Sequence, residues 1–336
     1  MAGNSDSKRK LLALLQVFQR ETDESNYLTS AEIIDKLQTQ YGIHAERKSI
    51  YSDIELLNRM GYEITLQKGA AGKGGYYLSN RIFEEVELKL LADAVQASKF
   101  ITARKSDALI QKLESMTSRH QASALRRQVF IHNRVKSSNE MIFIVVDKIH
   151  TAMSTGVQIR FRMREWTLSK EVRLRKEGKI YQVSPWALAW QDENYYLIGY
   201  DCTADAIRHY RVDKLCNLEL TELHREGVEA FKAFDLPNHI SKTFYMFGGK
   251  EERVTLRCAG RFIGVMMDRY GSDAKVIPND GDNFLLVAEV AVSPQFFGWL
   301  AGLGKEVELL APVSVRQAYM EYLQDILTDY TDQLHP

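Results

Sequence analysis

The spacing of apolar residues changes character at Gly156. Before it, apart from one short hairpin, apolar side chains recur every three or four residues, the period of amphipathic helices. After it, Gln158–Met163 and Val172–Arg175 alternate strictly between apolar and polar, as half-buried strands do. A helical front and a strand-rich body therefore share one chain. At 336 residues it is too long for one ordinary core and suits two or three domains, so the expected class is α+β multidomain.

The first eighty residues read as three helices and a hairpin. Lys8–Glu24 carries Leu11, Leu12, Leu14, Leu15 and Phe18 at helical spacing. Thr29 is a good N-cap for the second helix, and Glu32 three residues on completes a capping box. Gly42 stops that helix near Tyr41. Ala45–Met60 forms the third helix, with Ile50, Ile54, Leu56 and Leu57 facing inward. Tyr62–Gln67 and Tyr76–Leu78 read as strands joined by the glycine-rich turn Lys68–Gly75. This is the plan of a winged helix-turn-helix, whose third helix enters the major groove of DNA. Arg47, Lys48, Ser49, Tyr51 and Ser52 at its start are the expected base and phosphate contacts. Thr29 and Ser30, with the wing cations Lys68 and Lys73, complete the expected DNA-binding set. The run Glu46–Tyr62 resembles the DeoR-type helix-turn-helix pattern, in which Arg-x-Ser/Thr-Ile-x-x-Asp-Ile/Leu forms the recognition helix; here it stands as Arg47 to Ile54.

Phe83–Ser118 is expected to be helical with a break near Ile101–Lys105, followed by helices over Ser123–Val129 and Met141–Ser154. These helices suit a linker and dimer contact, or packing within one subunit; periodicity does not choose. Beyond Gly156, short strands include Gln158–Met163, Val172–Arg175, Tyr195–Asp201 and Ala206–Leu215, the spacing of a small bent barrel. The segments Val183-Ser184-Pro185, Asn194–Asp201 and Ile207–Leu215 resemble the WYL domain, an SH3/Sm-like barrel of bacterial regulators. The Trp-Tyr-Leu triplet of that family stands here as Tyr195-Tyr196-Leu197. The resemblance implies sensing of nucleic acid or another anionic ligand. Arg160, Arg162, Arg208 and Arg211, with Ser184, Trp186 and Tyr196, are the candidate ligand residues. Trp186 and Tyr196 are equally readable as barrel core, and Arg208 and Arg211 as ion-pair partners of Asp201 and Asp213. Arg208 and Arg211 also differ in parity, so a regular strand cannot aim both at one ligand without a bulge.

The last hundred residues read as β-α-β-α-β-α, with strands Glu252–Cys258, Asn283–Val292 and Val307–Leu310 and helices Arg261–Tyr270, Pro294–Leu303 and Val313–Tyr330. This order suits a ferredoxin-like unit and is similar to the WCX extension that follows WYL domains. The expected domains are thus 1–80 (winged helix-turn-helix), 81–154 (helical linker), 155–225 (WYL barrel) and 226–336 (WCX-like).

Net charge is zero, but its distribution is not even. Val157–Ile180 holds eight Lys/Arg against three Asp/Glu, whereas 280–336 holds two against nine. Residues 1–80 are balanced at ten of each sign, so DNA affinity must come from placement of cations and from dimerisation. Cys202, Cys216 and Cys258 neither pair nor space as zinc ligands, and no run of apolar residues is long enough to span a bilayer. The N-terminal segment lacks the apolar block of a signal peptide, which makes the cytoplasm the expected compartment. No P-loop, dinucleotide fingerprint, Gly-x-Ser-x-Gly or zinc spacing is present, so neither a cofactor nor an enzyme is expected. The expectation is a homodimeric, sequence-specific transcription regulator binding an operator and sensing an anion, single-stranded nucleic acid or a nucleotide. The rival reading is a nucleic-acid- or ligand-binding module whose helix-turn-helix contacts protein.

Overall fold

The computed structural model describes residues 2–68, 74–125, 136–191, 193–234, 236, 242 and 248–332. It divides into two units, 1–140 and 141–336. Helices are mixed with three separate sheets among the described residues. Among the described residues, no helix is long and apolar enough to cross a membrane.

The first unit begins with α1 (Ala2–Glu21), α2 (Ser30–Tyr41) and α3 (Arg47–Arg59), then the hairpin of β1 (Ile64–Gln67) and β2 (Gly75–Leu78). Leu14, Val17, Phe18, Ile33, Leu37, Ile50, Ile54 and Leu57 form its core, with Ile64 and Leu78 sealing it from the hairpin. The expected capping box is present: the Glu32 amide donates to Thr29 Oγ1 at 3.3 Å, and the Thr29 amide to the Glu32 carboxylate at 2.7 Å. Gly42 ends α2 in the left-handed region at φ 65°, as its position in the sequence requires. β1 and β2 pair antiparallel from Ile64↔Leu78 to Gln67↔Gly75, and Leu28 bridges to Tyr76 on the other side. A side chain at Gly75 would strike the Leu28 backbone at 2.7 Å, so the bridge needs glycine there. α1 starts and ends earlier than its apolar spacing predicts; it stops at Glu21 because Asp23 turns the chain by accepting the Ser25 and Asn26 amides.

α4 (Glu85–Ala97), α5 (Ala103–Glu114) and α6 (Arg119–Leu125) follow, and the break between α4 and α5 falls at the expected place. The second half of the helix expected over Ser123–Val129 lies outside the described residues, as does Lys73. Ser118, at the entry to α6, donates its hydroxyl to the Asp23 carboxylate at 2.5 Å and joins α6 to the α1–α2 turn. Arg81 closes the same region by donating to the carbonyls of Gln19 and Thr22.

The second unit starts with α7 (Ile142–Thr155), which the sequence groups with the preceding helices but which packs against the sheet that follows it. That sheet contains β3 (Val157–Trp166), β4 (Val172–Leu174), β5 (Tyr181–Gln191), β6 (Asn194–Asp201) and β7 (Ala206–Arg211) in the order β4-β3-β5-β6-β7. β8 (Leu215–His224) returns to pair with β3. The single strand expected over Ala206–Leu215 is interrupted: a 3-10 turn at Val212–Lys214 re-aims the chain from β7 into β8. α8 (Val228–Lys232) follows.

The third sheet holds β9 (Lys250–Ala259), β10 (Lys275–Pro278), β11 (Asn283–Val292) and β12 (Val307–Ala311), all antiparallel in the order β10-β11-β9-β12. Its helices are α9 (Ile263–Tyr270), α10 (Pro294–Gly302) and α11 (Val313–Asp332). β10 was not legible in the sequence. It is a four-residue edge strand with no fully buried side chain, too short to show an alternation.

One stability prediction follows from Asp23, a nearly fully buried carboxylate. Burial pushes its pKa up, but donors from Ser118, Asn26 and the backbone of Ser25 and Asn26 outweigh that and leave it below the usual range. A depressed carboxyl contributes stability that is present above its unfolded pKa and lost as pH falls through the folded value. Asp23→Asn is therefore expected to be less stable than the wild type at pH 7, with the gap closing below about pH 4. Urea titrations followed by far-UV circular dichroism at both pH values check this.

Candidate functional sites: an exposed helix face and a cationic cavity

On α3, the core residues Ile50, Ile54 and Leu57 point to one side. At 100° per residue, positions 48, 52, 55 and 59 fall on the other, with 47 and 51 on its flank. Arg47, Lys48, Tyr51 and Ser52 are all exposed there. The Arg47 guanidinium donates to the Tyr51 hydroxyl at 2.5 Å and lies 5.7 Å from its ring centre. Hydrogen bonds from Ser30 and Arg47 draw the Tyr51 phenol below its usual pKa. Ser49 is placed differently. It accepts a hydrogen bond from Lys10, which also pairs with Asp53 at 2.9 Å and so fastens α1 to α3. Thr29 caps α2, Ser30 is largely buried against Tyr51, and Lys68 is exposed at the end of β1. Of the expected DNA set, then, Arg47, Lys48, Tyr51 and Ser52 form one solvent face, while Thr29, Ser30 and Ser49 serve the helix packing behind it.

In the second unit, β6 and β7 pair without a bulge from Tyr196↔Arg211 to Asp201↔Ala206. Side chains therefore alternate strictly. Arg208 shares a face with Asp201 and Tyr210, while Arg211 shares the opposite face with Tyr196. The regular strand keeps the two arginines apart, as their parity requires. Arg211 is held by Asp213 through two bonds of 3.0 Å, whereas Arg208 stands 3.9 Å from Asp201 and remains more than half exposed. Both aspartates named as alternative partners in the sequence are the partners found.

Asp201 is nearly buried and accepts from Tyr210 Oη at 2.7 Å and from the amides of Thr203 and Ala204 at 2.9 and 3.1 Å. Burial raises its pKa, but these donors and Arg208 bring it below the usual carboxylate range. Tyr210, buried and bonded to that carboxylate, has its phenol pushed far up and stays protonated. Phe161, Tyr181 and Tyr210 pack as a trio with ring centres 5.2–5.8 Å apart.

A cavity of about 720 Å³ opens beside them. It is lined by Arg208, Asp201, Tyr181 and Tyr210 and by three further cations, Arg175, Lys176 and Lys179. Lys179 sits 5.3 Å over the Tyr181 ring. The turn that supplies these cations holds Lys176, Glu177 and Gly178 all at positive φ, 50°, 55° and 85°. The sequence reading named the basic run Val157–Ile180 but not these three residues. What marks them is Gly178 and the shortness of β4, which force a tight turn.

The other candidate ligand residues lie elsewhere. Ile159↔Val183 and Phe161↔Tyr181 pairing puts Arg160 and Arg162 on the face away from the aromatic trio, and Arg160 bonds Gln182 at 3.1 Å. Ser184 is fully buried and accepts from the Glu226 amide at 2.9 Å. Trp186 is the extra residue of a bulge in β5. Its indole N–H donates to the Glu226 carbonyl at 3.1 Å, between Phe231 stacked at 5.1 Å and the Arg225 guanidinium at 4.4 Å. Tyr196 is core, with Ala189 and Ile198. Only Arg208 of the seven lines the cavity.

These sites lie in a chain that carries a WYL domain over residues 144–220 and a WCX domain over residues 250–327. It is 24% identical over 314 residues to an uncharacterized HTH-type transcriptional regulator, YobV, of Bacillus subtilis (strain 168), covering 89% of this chain and 96% of that one. Among solved structures, proteasome accessory factor B/C (PafBC) of Arthrobacter aurescens aligns at 18% identity and a TM-score of 0.28. That alignment covers 96% of this chain, which spans about half the length of the PafBC chain (49%). A CRISPR Cas-related protein aligns at 13% identity and a TM-score of 0.39, covering 99% of this chain and 86% of that one.

The close approach of β6 to β5 depends on Gly199, where a Cβ would lie 2.3 Å from Val183 Cγ1 and 3.0 Å from the Ser184 carbonyl. Gly199→Ala is expected to cost about 1–3 kcal/mol. All four tryptophans lie beyond residue 160, so tryptophan fluorescence in a urea titration reads this unit.

Proposed function

We propose that this chain is a cytoplasmic, homodimeric, sequence-specific DNA-binding transcription regulator whose WYL domain binds an anionic ligand. The observation that carries the reading is the solvent-exposed start of α3, where Arg47 bonds Tyr51 and Lys48 and Ser52 stand exposed beside them. In this reading residues 1–80 are a winged helix-turn-helix of DeoR type, with α3 in the major groove and the β1–β2 hairpin as the wing. The strands from β3 to β8 are an SH3/Sm-like barrel, and the strand order β10-β11-β9-β12 with α9 and α10 is ferredoxin-like. The printed name of the Bacillus relative, an HTH-type transcriptional regulator, supports the same assignment.

The cavity supports anion binding. Four cations against one carboxylate give it a net positive charge, and Tyr181 and Tyr210 supply an aromatic wall on which a base can stack. Arg208 is the mobile element of the reading, since at 3.9 Å its hold on Asp201 is loose and an entering phosphate can take it over. Nothing in this set supplies a nucleophile paired with a base, so the role assigned is binding and not turnover. The ligand shifts operator affinity only by its differential affinity for the two states of the protein.

Fluorescence anisotropy with a duplex from the gene's upstream region, at fixed salt, tests the first half. Arg47→Ala and Lys48→Ala are each expected to weaken selective binding by about 1–3 kcal/mol, roughly ten- to hundredfold. Unchanged affinity in both would favour a helix-turn-helix that contacts protein. For the second half, Lys176→Ala with Arg208→Ala is expected to abolish modulation by a short single-stranded oligonucleotide and leave duplex affinity intact. Modulation that survives the pair, or is lost with Arg211→Ala alone, would move the ligand off this cavity.

A further inference from the structure

α11 carries an apolar stripe that stays exposed among the described residues. The first half of α11 is anchored: Val315 is buried, and Ala318, Tyr319 and Tyr322 pack on the core beneath the β9–β12 sheet. Met320, Leu323, Leu327 and Tyr330 then recur at intervals of three, four and three, with Ile326 beside them. Met320 and Leu327 are each 55% exposed and Tyr330 70%. From Leu323 to Thr331 every side chain faces solvent. An apolar stripe at this spacing is the seam of a helix pair, and a helical segment this short is marginal in water without a partner.

We propose that this stripe pairs, antiparallel, with the same stripe of a second copy of the chain. The inference rests on the homodimer reading above and names the surface that makes the dimer. With Met320 and Leu327 at one seam position and Leu323 and Tyr330 at the other, the flanking positions within the span are Gln324, Ile326 and Thr331. None is charged, so two identical helices meet without repulsion, and no charge selects a foreign helix of opposite sign. The acids Glu321, Asp325, Asp329 and Asp332 occupy the remaining positions, with no cation among them. A parallel pair would bring both acidic ends and both negative dipole ends together, whereas the antiparallel pair separates them. Covering the stripe on two copies removes on the order of 1,000 Å² from water, the lower bound for a specific interface.

Sedimentation velocity of the full chain without DNA, at tens of micromolar, reads the outcome. The wild type is expected to run as a dimer and Leu323→Glu with Leu327→Glu as a monomer with an unchanged far-UV spectrum. In the antiparallel pair position 323 meets position 327 of the other copy. An oxidised mixture of Leu323→Cys and Leu327→Cys chains is therefore expected to give a disulfide-linked dimer in excess of either chain alone and of the wild type. A monomeric wild type, or a double-glutamate variant that stays dimeric, overturns the proposal. So does cross-linking within each single variant in place of the mixture. If the glutamate variant loses its fold, the cysteine mixture decides. A wild type that dimerises through this stripe yet binds no duplex selectively sinks the regulator reading and leaves the interface standing. Selective duplex binding by a chain that never dimerises does the reverse.

Discussion

The carboxylate of Asp201 organises the strand pair on which the second unit's site depends. It ends β6, receives the amides of the turn that follows, and takes the Tyr210 hydroxyl from β7. Three donors on one nearly buried acceptor group fix where the turn closes, and the turn fixes the register of β7. Because side chains on a strand alternate, that register decides which residues of β7 look toward the aromatic trio. Arg208 does so, and Arg211 is assigned to Asp213. A shift of one residue would exchange them.

The same logic explains why the residues that carry the resemblance to the WYL domain are mostly scaffold. Ser184 and Trp186 receive and hold the Glu226 backbone, so the bulge in β5 is pinned to the chain leaving β8. Tyr196 fills the core behind the sheet. Gly227, at φ 76°, lies where any side chain would enter the Tyr200 ring, which brings the chain after β8 hard against β6. These contacts shape the cavity without lining it. Its charge comes from a segment that contributes almost nothing to the sheet.

Much of this fold was legible because its elements are long and periodic. The three N-terminal helices, the Thr29–Glu32 capping box, the Gly42 stop, the interruption between α4 and α5 and the strands β3, β6 and β11 all follow from spacing and end residues. Elements that escaped are those whose period is broken or too short to show: β10 with four residues, and β8, whose start is hidden by the 3-10 turn after Arg211. The site was half legible. Composition located the basic run, and the opposite parity of Arg208 and Arg211 is the opposite facing that the unbulged strand gives them. The cavity itself brings Arg175, Lys176 and Lys179 to Tyr210 across thirty residues of sequence, a proximity that no local pattern encodes.

The left-handed turn Lys176–Gly178 has a thermodynamic consequence for anything that enters that cavity. Two of its three residues occupy a conformation that costs L-amino acids roughly 1–2 kcal/mol each. That strain is borne when the chain folds, by the strands that clamp the turn on both sides. Lys176 and its neighbours are then already confined when a ligand arrives, so little further backbone entropy is lost on association. Relaxing the turn, for example by lengthening it, would leave the cavity's charge unchanged and remove that confinement.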